Sequence, residues 1–189
     1  MDFARLPENL PREVTWVTAN VLVGNVCADT VSDRAGVGVH ITARVDCAVR
    51  ALVELAASAP GPVKAEVLSS SQSIPHKFLE SVLADLRRGG LVSSRRGPDG
   101  GYWLTRPAAE ITIADVIRTV EGPLASVRGE RPEDVTYDGP AESLKQVWIA
   151  VRVNLRAVLE GVTVADVAAG ALPEFVTELT ADPGAWRRR

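Results

Sequence analysis

The stretch Gly89-Gly90-Leu91-Val92-Ser93-Ser94-Arg95-Arg96-Gly97-Pro98-Asp99-Gly100-Gly101-Tyr102-Trp103-Leu104 constrains this chain more than any other. It predicts a helix ending in glycines, a short strand, a tight turn carrying two arginines, and a second short strand. Pro98-Asp99-Gly100-Gly101 must reverse the chain, and only glycine reaches positive φ without steric cost. A narrow arginine-tipped turn also fits a DNA minor groove, whose negative potential favours a guanidinium. Placed behind a helix–turn–helix pattern, the hairpin reads as the wing of a winged-helix DNA-binding domain.

That helix–turn–helix pattern lies just upstream. Ile41, Val45, Ala48, Val49, Leu52, Val53 and Ala56 recur at helical spacing, with Thr42 as a cap and Asp46 near the positive helix end. Pro60-Gly61-Pro62 stops this helix, and a short one follows from Lys64 to about Ser70. After the polar turn Ser69–Ser73, Pro75 opens a helix running to Arg88. Its apolar face is Phe78, Leu79, Val82, Leu83 and Leu86, which leaves His76, Lys77, Glu80, Ser81 and Arg88 facing away. The outward face of such a second helix is the one that enters a major groove.

Beyond the hairpin, Thr112-Ile113-Ala114-Asp115 begins another amphipathic helix that Glu121-Gly122-Pro123 ends, and residues 124–140 read as a loop. A longer helix is expected from about Ala141 to Glu160. Leu144, Trp148, Val151, Leu155, Val158 and Val162 follow one another at intervals of four and three, a heptad seam. A second copy of the same helix would cover that seam and give a two-fold dimer. The alternative is packing against the chain's own DNA-binding domain. The fold expected is therefore mainly α with a small β-hairpin wing: a winged helix–turn–helix domain plus a long dimerisation helix. Residues 1–38 read as a poorly ordered N-terminal extension, 39–106 as the winged domain, 107–170 as a helical dimerisation region, and 171–189 as a C-terminal tail, frayed over Trp186-Arg187-Arg188-Arg189.

The charge is distributed to match. The chain carries a net charge of −3, yet residues 39–106 sum to +3 and the remainder to −6. A basic module on an acidic body suits a protein that meets DNA with one face. Two cysteines, Cys27 and Cys47, exclude a disulfide framework and a four-cysteine zinc site, and point to a reducing cytoplasm. No apolar run approaches the roughly 20 residues of a membrane span. No phosphate-binding glycine loop, paired metal ligands or activated nucleophile suggests an enzyme.

The ordered set Thr42-Ala43-Arg44-Val45-Asp46-Cys47-Ala48-Val49-Arg50-Ala51-Leu52, Ile74-Pro75-His76-Lys77-Phe78-Leu79, Gly90–Gly97 and Gly100-Gly101-Tyr102 resembles the Rrf-two (Rrf2) family of bacterial winged-helix regulators. Arg106-Pro107-Ala108, Ile111–Ile117, Val120–Pro123 and Val162–Val167 continue the resemblance. The resemblance implies a homodimeric DNA-binding regulator, with Glu80 at the position that touches bases and Arg96 at the wing arginine of the minor groove. Lys77, Ser81 and Arg95 then suit phosphate or base contacts, with His76 a further candidate, and Leu144, Trp148, Val151, Leu155 and Val158 form the dimer core. Cluster-binding relatives carry three close cysteines after the Glu-Gly-Pro turn. Here the region Leu124 to Gln146 has none, so a member without an iron–sulphur cluster or other cofactor is expected. Asp46 then serves as favourable charge at a helix start and Cys47 as a small buried hydrophobe. The reading is a repressor of double-stranded DNA targets with an unknown effector. The competing reading is a winged-helix module that binds protein and has no specific DNA site.

Overall fold

The computed structural model describes residues 41–187, so the expected extension over 1–38 and Cys27 lie outside the described residues. The fold is mainly helical with one two-stranded antiparallel sheet. Helix α1 spans Ala43–Ala57, and the Val45 amide donates to Thr42 Oγ1 at 3.2 Å as the sequence anticipates. Val45, Ala48, Leu52 and Leu55 bury one stripe, widened by Cys47 and Ala51. Ile41 does not join it: lying ahead of the cap, it is exposed.

Helix α2 (Ala65–Ser71) anchors through Leu68 alone, and α3 (His76–Arg88) buries Leu79, Val82, Leu83 and Leu86. Pro75 occupies the cap rather than the first helical turn, its extended ψ of 127° turning the chain into α3. Arg50 fastens the α2–α3 turn to α1. It donates to the Gln72 carbonyl and, at 3.3 Å, to Gln72 Oε1, while the Gln72 amide donates to Glu54 Oε2 at 2.7 Å.

Strands β1 (Val92–Arg95) and β2 (Gly101–Leu104) pair in the register Val92↔Leu104 to Arg95↔Gly101. Val63 adds a single bridge to Tyr102, so the backbone between α1 and α2 abuts the base of the hairpin. Gly101 is required there, because a Cβ would lie 2.7 Å from the Val63 carbonyl oxygen. Gly97, at φ +114°, supplies the turn itself.

Helix α4 (Ile113–Val120) opens with a reciprocal capping box between Thr112 and Asp115, and Arg106 beside β2 pairs with Asp115 at 3.0 Å. Helix α5 (Leu144–Gly161) follows the long loop, and none of its residues is buried. Val162 is not the last seam residue of that helix. It is extended, buried, and accepts the Ile113 amide at 3.0 Å, while the Val164 amide donates to the Ile111 carbonyl at 2.8 Å. The backbone after α5 therefore clips to the backbone before α4. From there α6 (Val164–Ala169), capped by Thr163 and Asp166, lies against α1. Ile111, Val116 and Val164 complete the apolar cluster built by α1, α3 and β1.

The tail beyond Gly170 carries a further helix that packs back on the chain. Helix α7 spans Glu174–Ala181, and the Trp186 indole N–H donates to the Thr180 carbonyl at 2.8 Å. The physical reason is Phe175, whose ring packs where a side chain on Gly161 would otherwise stand. Among the described residues no helix is long and apolar enough to cross a membrane.

Candidate nucleic-acid interface

Burying Leu79, Val82, Leu83 and Leu86 turns the opposite face of α3 to solvent, because positions three and four apart share a helix side. Lys77, Glu80 and Ser81 are exposed on it, and Lys77 has no hydrogen bond or ion pair among the described residues. Ser81 is already engaged, since its Oγ accepts from Arg44 Nη2 at 3.1 Å. The same guanidinium pairs with Asp85 one turn along α3. The hydrogen bond from Arg44, aided by the charges of Arg44 and Arg88, holds the Asp85 carboxyl below the usual range against a smaller opposing effect of burial. Nothing in the sequence spacing pairs Arg44 with α3, because 37 residues separate it from Ser81.

His76 is half-buried and lies between two carboxylates. Its Nδ1 lies 3.7 Å from Glu80 Oε2 and its Nε2 lies 3.8 Å from Glu66 Oε1 of α2. The Nε2 atom is shielded from solvent without a hydrogen bond.

The hairpin presents its two arginines differently. Arg95 closes β1, and its Nη2 donates to the Asp99 carbonyl at 3.1 Å, which braces the turn from within. Arg96 begins the turn, is exposed, and has no partner among the described residues. Arg87, near the end of α3, reaches Ser94 Oγ of β1 at 3.3 Å and links the helix to the hairpin. Arg87 and Arg88 are the basic residues in the last turn of α3, where cations favour the helix dipole, and spacing along one helix carries no sign of a contact to the hairpin.

Along α5 the expected seam splits. Leu144 is 39% exposed, and off-seam Val147 and Val153 are 49% and 57% exposed. Val151, Leu155 and Val158 are half-buried. Trp148 turns to its own chain, its Nε1 donating to Tyr137 Oη at 2.9 Å. Arg152 pairs with Glu133, and the Arg128 guanidinium lies 5.6 Å from the Tyr137 ring centre. A hydrogen bond from its own backbone amide, then the Arg152 hydrogen bond and charge, hold the Glu133 carboxyl low. These contacts strap the loop preceding α5 onto that helix.

Comparisons with known proteins agree with this geometry. Residues 41–170 match the Rrf2 family model, described as an iron-dependent transcriptional regulator. Rv1287 of Mycobacterium tuberculosis (strain H37Rv), named as an HTH-type transcriptional regulator, is 50% identical over 144 residues, 76% of this chain and 89% of that protein. The structure of CymR, the global cysteine regulator of Bacillus subtilis, superposes with a TM-score of 0.60 at 30% identity, covering 69% of this chain and 96% of that one. The IscR structure from T. potens gives 0.54 at 28% identity, over 79% and 92%.

The iron in the family's description finds no matching donor set. Cys47 is the one cysteine among the described residues and is buried inside α1. The loop before α5 holds no cysteine or histidine. No group of three His, Cys, Asp or Glu side chains among the described residues could hold a metal ion. The fold, the hairpin and the matched span from residue 41 to 170 establish the lineage: the chain is a member of the Rrf2 family of transcriptional regulators.

Proposed function

We propose that the protein is a cytoplasmic homodimeric repressor that binds a pseudo-palindromic operator in double-stranded DNA. Each α3 lies in a major groove and each hairpin reaches the flanking minor groove. The observation that carries the reading is two cations without a partner among the described residues, Lys77 on the outward face of α3 and Arg96 at the hairpin turn. A cation without an internal partner gives up no protein contact when it takes a phosphate or a base edge. Lys77 and Arg95 serve phosphate, Glu80 accepts from a cytosine amino group, and Arg96 reads groove shape. Ser81, held by Arg44, adds a hydroxyl beside the phosphates.

Dimerisation rests on α5, an 18-residue helix with no buried residue and an apolar surface centred on Leu144, Val151, Leu155 and Val158, with Trp148 at its strapped edge. A second α5 supplies cover for that surface and sets two reading heads at a fixed separation. Occupying the operator is sufficient for repression, and no cofactor enters the scheme.

The test is a gel-shift titration of the full chain on promoter fragments at several salt concentrations, with sedimentation in parallel. A dimer whose operator affinity falls steeply with salt supports the reading. A monomer, or binding without salt dependence or sequence preference, overturns it in favour of a protein-binding module.

A further inference from the structure

We infer that His76 is a positioning residue for Glu80: lying between the carboxylates of two helices, it restricts the Glu80 side chain for base reading and does not itself touch DNA. The inference rests on Glu80 reading a base, as proposed above.

The two ring nitrogens face different acids. Nδ1 is 3.7 Å from Glu80 Oε2 on α3, and Nε2 is 3.8 Å from Glu66 Oε1 on α2. Solvent does not reach Nε2, and no hydrogen bond satisfies it within the chain. A shielded nitrogen cannot contact a phosphate, and its nearest acceptor is Glu66. The other nitrogen sits one turn before Glu80, the i,i+4 relation that places side chains over one another on a helix. Lys77, the next residue, keeps its cation unpaired and is left for that contact.

Glu80 needs such a hold for two physical reasons. A solvent-exposed glutamate samples several rotamers, and confining it on binding costs entropy that prior orientation removes. It is also an anion brought among phosphates, which repel it from the groove. The imidazole stands beside Oε2, the nearer carboxylate oxygen at 3.7 Å, and limits the rotamers open to Glu80, which leaves Oε1 for the base. Glu66, 3.8 Å from Nε2, borders the imidazole on its far side, so the start of α2 adjoins the residue that positions Glu80.

The experiment begins with a duplex selected from a random pool by the wild-type full chain. Gel-shift titrations then compare that duplex with single-base variants, for wild type, His76→Leu, His76→Gln, Glu80→Gln and the double variant His76→Leu/Glu80→Gln. Leucine favours helix at least as well as histidine, and thermal melts confirm that each variant folds. Glu80→Gln should lower discrimination at one base position by about tenfold or more. His76→Leu should lower it by about three- to tenfold at that same position only, with the salt slope unchanged. Glutamine at 76 should restore most of the loss, because its amide can donate to Glu80. The double variant should lose no more than Glu80→Gln alone.

A shallower salt slope or an equal loss on every duplex for His76→Leu would show direct phosphate contact and overturn the inference. So would an additive loss at a second position, or full discrimination in His76→Leu while Glu80→Gln loses it. If Glu80→Gln leaves every position unchanged, the base-reading role of Glu80 fails and the inference falls with it.

Discussion

Arg44 Nη2 lies 3.1 Å from Ser81 Oγ, so the first turn of α1 holds a residue on the outward face of α3. The same nitrogen pairs with Asp85, whose side chain is only 15% exposed. Removing Arg44 leaves that carboxylate with the more exposed Arg88 alone. Arg44→Ala should therefore cost about 1–3 kcal/mol, the range for hydrogen bonds to charged groups. Urea titration checks this: the midpoint should fall while the slope stays constant.

The depressed Asp85 pKa carries a pH dependence. Its folded value lies below the ordinary aspartate value of 3.8, so the contribution is fully present above that value. It is lost as pH falls from there through the lower folded value. Asp85→Asn should lower stability at neutral pH and flatten the decline on acidification. Thermal melts between neutral pH and the acid limit test both, and parallel curves for wild type and variant would contradict the assignment.

Arg96 and Lys77 should behave differently when removed. Arg96→Ala is expected to weaken operator binding by about 1–3 kcal/mol and to relax preference for the flanking sequence. Lys77→Ala should weaken binding uniformly across sequences and reduce the salt slope by about 1. Titrations on the operator and on an unrelated duplex separate the two effects.

Gly101→Ala places a methyl group 2.7 Å from the Val63 carbonyl oxygen and must push two backbone segments apart. A loss of about 1–3 kcal/mol is expected, with operator affinity falling as the hairpin shifts. Unchanged melting would mean that the bridge between Val63 and Tyr102 yields freely.

Leu155→Glu puts a charge on the surface assigned to the second copy, at a half-buried position that packs into no core of its own chain. Sedimentation should show a monomer with an unchanged helical spectrum. Operator affinity should drop toward that of a single half-site.

Much of the reading head was legible in the residues because its signals are local. Thr42 caps α1 as its position suggests, and Leu79, Val82, Leu83 and Leu86 all enter the core from one face of α3. Gly97 and Gly101 sit where the turn needs them. What escaped depends on pairings across long intervals. Val162 continues the four–three spacing of α5, yet its backbone is claimed by Ile113, and apolar periodicity cannot register a hydrogen bond to a distant segment. The start of α6 did carry a local sign in Thr163 and Asp166, the two ends of a capping box. Phe175 reads as one aromatic in a tail until Gly161 is seen to leave room for it. His76 reads as a polar helix residue until α2 brings Glu66 to its far side.

The clip between Ile113 and Val162 also bears on how such proteins diversify. Helix α4, the loop and α5 form one excursion whose two ends are tied backbone to backbone, like a handle riveted at both ends. A handle attached that way can be lengthened, re-lined or given a different sensor without rerouting any strand or helix beneath it. Grip and signal thus sit on separable parts of the chain, and here the arm carries no thiolate between Leu124 and Gln146.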